Sequence, residues 1–126
     1  MKKEEKNKIN FGVDFDLEND ELILQINSPE EQLQGPYVVV YKNIPEKWAI
    51  VAYDWNGHPN LGIRWFWDTN GNPTSTGYPT WLVIPSMLTN AVLNGLPLEF
   101  KFRNKLNRFL ADEIKGEELK EKGGEQ

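Results

Sequence analysis

"WAIVAYDWNGHPNLGIRWFW", residues 48–67, decides the fold. Two runs rich in β-branched and aromatic residues, Trp48 to Trp55 and Leu61 to Trp67, flank an Asn-Gly step, the strongest short-range hairpin signal. The stretch predicts an antiparallel hairpin. Pro59 cannot donate a ladder bond and so leaves the register open; the pairing adopted is a five-residue turn, Asn56 to Asn60, with Trp55 opposite Leu61.

In that register one face carries Ala49, Val51, Tyr53, Trp55, Leu61, Ile63, Trp65 and Trp67 and reads as core. The other carries Trp48, Ile50, Ala52, Asp54, Gly62, Arg64, Phe66 and Asp68, which mixes rings with charges. Asp54 and Arg64 lie diagonally across the pair, within an arginine's reach. They read either as an ion pair or as an Arg left to clamp a ligand's carboxylate or phosphate, with Gly62 leaving space beside it.

Beyond the hairpin, Asp68 to Thr80 is a long polar loop whose one aromatic is Tyr78, and long loops within a compact domain tend to be either functional or disordered. "TWLVIP" from Thr80 reads as a short buried strand, with Trp81 in the core. Ser86 then caps a helix carrying Met87, Leu88, Ala91 and Val92, ended by Gly95 and Pro97. From Leu98 the pattern fits both periods, since Leu98, Phe100 and Phe102 alternate while Leu98, Phe102, Leu106 and Phe109 recur as on a helix. The reading adopted is a strand to Arg103, then a helix from Asn104 to Gly116.

Upstream, Phe11, Val13, Phe15 and Leu17 alternate, as do Leu22, Leu24 and Ile26, which predicts a first hairpin. "SPEE" from Ser28 reads as the start of a short helix stopped at Gly35-Pro36, and "YVVVYK", Tyr37 to Lys42, as the third strand. Residues 1–8 and 116–126 are charged, apolar-poor tails expected to be disordered, leaving 9–115 as a single domain. The expected class is α+β, a mainly antiparallel β-sheet with two or three helices packed on one face.

Composition narrows the function. The chain has 126 residues, 39% hydrophobic, enough for one core. With no Cys there is neither a disulfide framework nor a thiolate metal site, in keeping with the cytoplasm. No stretch approaches a membrane span, and a net charge of −5 disfavours nucleic acid. The basic residues Lys101, Arg103, Lys105 and Arg108 are too few to make a nucleic-acid footprint.

Catalytic patterns are incomplete. Asp54 and Asp68 fall about 20 Å apart along the strands, beyond the ~5–9.5 Å that glycoside hydrolysis uses. His58 is the single histidine and sits in turn chemistry, leaving Ser75 and Ser86 without a base fixed nearby. "DTNGNP" from Asp68 begins like a calcium loop but has Pro73 and Pro79 where that loop needs Gly and Glu. No metal or cofactor is expected. The leading expectation is a non-catalytic domain binding a small ligand or a protein through Trp48, Asp54, Arg64, Phe66, Asp68 and Tyr78. The alternatives are a small acid–base enzyme using Asp54, Arg64 and His58, and a structural homo-oligomer joined through Trp48, Ile50 and Phe66.

Overall fold

A computed structural model describes residues 16–67, 71–75 and 78–120. The chain is α+β. Its elements are α1 (Asp20–Leu24), β1 (Leu33–Asn43), β2 (Trp48–Trp55), β3 (His58–Trp65), β4 (Thr74–Ser75), β5 (Tyr78–Pro79) and β6 (Leu82–Val83). A 3-10 turn (Ser86–Leu88) then leads to α2 (Thr89–Gly95), α3 (Phe100–Leu110) and α4 (Gly116–Lys120). The main sheet runs β1-β2-β3-β6, antiparallel at every junction, and β4 pairs with β5 in a separate ribbon.

The hairpin forms with a tighter turn than expected. Trp55 faces His58, leaving Asn56 and Gly57 as a two-residue loop with φ of 53° and 83°. Positive φ at both positions is what a type I′ turn requires, and Asn-Gly supplies it at low strain. Pro59 fits because the pair closing such a turn exchanges both backbone bonds. The next pair, Asp54 with Pro59, makes none, so the proline nitrogen points away from β2. The odd register shift recombines the two faces. Ala49, Val51, Tyr53 and Trp55 now share a side with Gly62, Arg64 and His58, while Trp48, Ile50, Ala52 and Asp54 share the other with Leu61, Ile63 and Trp65.

Both faces are covered. Ile50, Ala52 and Leu61 pack with Tyr37, Val40, Leu93, Leu106, Phe109 and Leu119, beneath α2, α3 and α4. On the opposite side Ala49, Val51, Tyr53 and Phe66 pack with Leu17, Ile23, Ile26, Leu33 and Trp81.

Several elements depart from the sequence expectation. Leu22 to Ile26 is not a strand: Asn19 caps α1, accepting from the Glu21 N–H at 3.0 Å, and Ile23 and Ile26, three apart, are the residues fully buried. "ENDE" is thus a helix start rather than a hairpin turn. Phe11, Val13 and Phe15 lie outside the described residues, as do both extreme termini. The short helix at Ser28 is instead one hydrogen-bonded turn, with Gln32 and Leu33 donating to the Pro29 carbonyl. Gly35-Pro36 does not end an element but lies in β1 at a register shift, where Gly35 has a φ of 104°.

After the 3-10 turn it is Thr89 and Leu93 that are buried; Met87 and Leu88 face outward. Where a strand is expected over Leu98 to Arg103, Phe100 to Arg103 instead form the first turn of α3. Its inner stripe is Leu106 and Phe109, flanked by Phe102 and Leu110, so the helical period prevails once a sheet face is there to receive it. Arg103 anchors α3 to α2 by donating to the Leu93 and Leu96 carbonyls at 3.2 and 3.0 Å, at the end of a helix where cations are favoured. At its own end α3 closes in a Schellman motif. Asp112, with φ 64°, donates to the Phe109 carbonyl and Glu113 to that of Arg108. The expected tail begins later than Gly116: α4 buries Leu119 and sets Gly116 against the Tyr37 ring, where a Cβ would overlap it.

Candidate functional site

The register divides the predicted site residues between three places. Arg64, with no solvent-exposed surface, is inside the molecule. Its Nη1 donates to the Pro73 carbonyl at 2.9 Å and to the Thr80 carbonyl, and its guanidinium carbon lies 5.2 Å from the Phe66 ring centroid. Gly71, with φ 67°, crosses directly over the guanidinium, and a side chain there would collide with it.

Burial lowers Arg64 to about 10, so the group stays cationic at neutral pH. It is the post around which the loop closes. The loop returns to Trp65 through paired backbone bonds with Asn72 and is tied at its far end by the Thr80 hydroxyl, which donates to the Ser28 carbonyl at 2.6 Å. Trp81 Nε1–H donates to the Ile26 carbonyl at the same distance and stays buried, as expected of a core residue. Tyr78 is half-buried in the β4–β5 ribbon, opposite Ser75. Asp68 lies outside the described residues.

Asp54 belongs to the helix-covered face and does not meet Arg64. Its Oδ2 accepts from the Tyr37 hydroxyl at 2.7 Å. Burial first, then the bond to Asp54, the Asp54 charge and Glu117 push the Tyr37 phenol above its ordinary range. His58 is exposed at the hairpin tip, on the Arg64 side of the sheet but about 20 Å along β3 from it. Asp54, His58 and Arg64 therefore do not converge. Ile50 and Phe66, expected on one exposed face, are buried on opposite faces. Among the described residues no group of three or more His, Asp or Glu is placed to hold a metal ion, and no helix is long and apolar enough to cross a membrane.

Of the six predicted positions, Trp48 leads to an open surface. It is half-buried on β2, directly opposite Trp65 on β3. The Trp48 ring contacts Tyr41 of β1, with centroids 5.6 Å apart, and Trp65 contacts Trp67 at 5.7 Å with the planes tilted by 34°. Trp67, just past the end of β3, is 47% exposed. Tyr41 and Trp48 pack against the edge of the helix-covered core and, like Trp65, are half-buried, so the four rings form a row across the ends of three strands with Trp67 as its exposed member. Trp48 Nε1–H donates to Glu46 Oε1 at 3.0 Å, which fixes a carboxylate on the rim. The Phe66 N–H donates to the Lys47 carbonyl at 2.8 Å, so the backbone beneath the rings is held on both sides.

Sequence reasoning places Trp65 and Trp67 in the core and does not single out Tyr41. The signal that finds them is the two-residue turn, which moves both tryptophans onto the face of Trp48. Comparison with models of protein families, with curated proteins and with solved structures finds no match to this chain.

Proposed function

We propose that the chain is a non-catalytic binding domain whose recognition surface is the aromatic end of its sheet, Tyr41, Trp48, Trp65 and Trp67. The observation that carries this reading is the Trp65–Trp67 contact with Trp67 left 47% exposed. Tryptophan on a rigid strand end offers a large contact area at small entropic cost and dominates binding energy wherever interfaces have been dissected. Arg64 and the 71–80 loop serve this surface from behind, because the loop that Arg64 closes is the one bonded to Trp65. The cysteine-free sequence supports a cytoplasmic setting for the domain.

The test is a series of ¹⁵N–¹H spectra of the full chain against soluble peptides and oligosaccharides. The Trp65 and Trp67 indole signals are expected to move with any ligand found, and Trp67→Ala to abolish the effect. A ligand that binds Trp67→Ala as well as wild type and leaves those signals in place overturns the assignment.

A further inference from the structure

We propose that the aromatic end of the sheet takes a basic, proline-rich peptide in the polyproline II conformation, an inference that rests on reading this end as the binding surface. Two ring pairs lie side by side, Tyr41 with Trp48 and Trp65 with Trp67, brought together because Trp48 and Trp65 are direct cross-strand partners. Each indole is an apolar plate carrying one N–H donor and no acceptor. The Trp48 donor is taken by Glu46; among the described residues nothing accepts from the Trp65 or Trp67 indole.

A polyproline II segment complements such a surface. Its pyrrolidine rings are apolar, its carbonyls make no internal hydrogen bonds, and it is already extended, so little entropy is lost on docking. Charge selects the flanking residues. The Glu46 carboxylate stands on the exposed rim beside exposed Lys47, so it is the net charge of −5 that favours cationic side chains, while repelling the phosphates of a nucleic acid whose bases would otherwise stack as well. Area argues against a second copy of the chain. A stable protein pair buries about 800 Å² on each partner, whereas among the described residues the large apolar side chains exposed near these rings are Trp67, Ile44 and Leu82, at 47%, 38% and 53%, well short of that area.

The experiment titrates ¹⁵N-labelled full-length chain with a proline-rich peptide bearing arginine at both ends, with the same peptide after Pro→Ala replacement, with a neutral proline-rich peptide, and with a cello-oligosaccharide. The arginine-flanked peptide is expected to shift the Trp65 and Trp67 indole signals and leave that of buried Trp81 in place. Trp67→Ala is expected to weaken this binding roughly tenfold or more. Glu46→Gln should weaken it roughly threefold, with no effect on the neutral peptide.

Equal binding of the Pro→Ala peptide, or binding that moves signals elsewhere and ignores Trp67→Ala, overturns the inference. If the oligosaccharide shifts both indoles and the peptide does not, the peptide inference falls and the binding surface stands. Silence of the arginine-flanked peptide overturns the inference alone; the surface itself falls with a ligand that bypasses Trp67.

Discussion

Tyr53 and Tyr37 lie on opposite faces of one sheet, and each ring covers a glycine. Tyr53 fills the space over Gly62 and Tyr37 that over Gly116, so tightly that a Cβ at either glycine would overlap the ring. Only Tyr37 has its hydroxyl bonded, to Asp54 at 2.7 Å; the Tyr53 hydroxyl is buried without a hydrogen-bond partner among the described residues. The contrast extends to the faces themselves. The helix-covered face meets its buried phenol with a carboxylate at one end and carries the row of rings that ends in exposed Trp67 at the other. The opposite face buries a guanidinium, which donates to the Pro73 and Thr80 carbonyls of a folded-back loop. An open aromatic surface and a polar interior are thus two sides of the same three strands.

The largest test of this contrast is Arg64→Ala. It removes the hydrogen bonds to the half-buried Pro73 and Thr80 carbonyls and opens a cavity, with an expected loss of about 3 kcal/mol or more in urea unfolding. A loss below about 1 kcal/mol, in the range of an ordinary exposed side chain, would mean that the loop closes without the guanidinium. Next in size are the glycines. Gly62→Ala and Gly116→Ala are each expected to cost about 1–3 kcal/mol through overpacking. Gly62 should be the worse, since it sits in an inner strand whereas Gly116 begins a five-residue helix that can shift.

The tyrosines then separate the faces by sign. Tyr37→Phe should cost about 1 kcal/mol for the lost bond, while Tyr53→Phe, which discards an unbonded buried hydroxyl, should be neutral or stabilising by up to about 1 kcal/mol. If both substitutions cost the same, the Tyr53 hydroxyl has found a partner and the two faces satisfy their polar groups alike.

A pH series sharpens the same point. Burial raises the Tyr53 phenol, and burial together with Asp54 and Glu117 raises that of Tyr37. In the unfolded chain both ionise near pH 10. Above that pH the unfolded state sheds protons that the folded state retains. Their stabilisation is therefore complete below about pH 10 and is lost as pH rises through the folded values. Arg64, lowered by burial, acts with the opposite sign, which makes the difference between wild type and the Tyr37→Phe, Tyr53→Phe double variant the quantity to measure. The double variant should show the shallower alkaline decline. The smallest effect is expected at the aromatic end: Trp67→Ala should change stability by no more than about 0.5 kcal/mol, while weakening the proposed peptide binding roughly tenfold or more.

Much of the fold is legible in the amino-acid sequence. The hairpin rests on Asn56-Gly57, whose positive φ values are a local requirement met by local residues. The helix stop after Val92 and the α+β class likewise follow from short-range signals. Three features escape such signals for one reason. The turn length at Pro59, the period of Leu98 to Leu110, and the choice of strand or helix at Leu22 to Ile26 each have two locally acceptable solutions. In each case the winner is set by which apolar residues find a surface to bury against.

For the candidate site less is legible. A shift of three positions in the pairing sends Arg64 and Phe66 to one face and Trp48, Asp54, Trp65 and Trp67 to the other. Of the expected constellation, Trp48 keeps its place on the proposed surface.

By itself the sequence determined alternation along each strand, the position of the tight turn, and the absence of any thiol chemistry, because these depend on neighbours within a few residues or on composition alone. The tertiary structure decided which rings are core and which are surface. A side chain's face is fixed by pairing register, and its exposure by where a covering helix or loop happens to end. Arg64 is buried because the loop carrying Pro73 and Thr80 folds back onto it, whereas Trp67, just past the end of β3, stays 47% exposed.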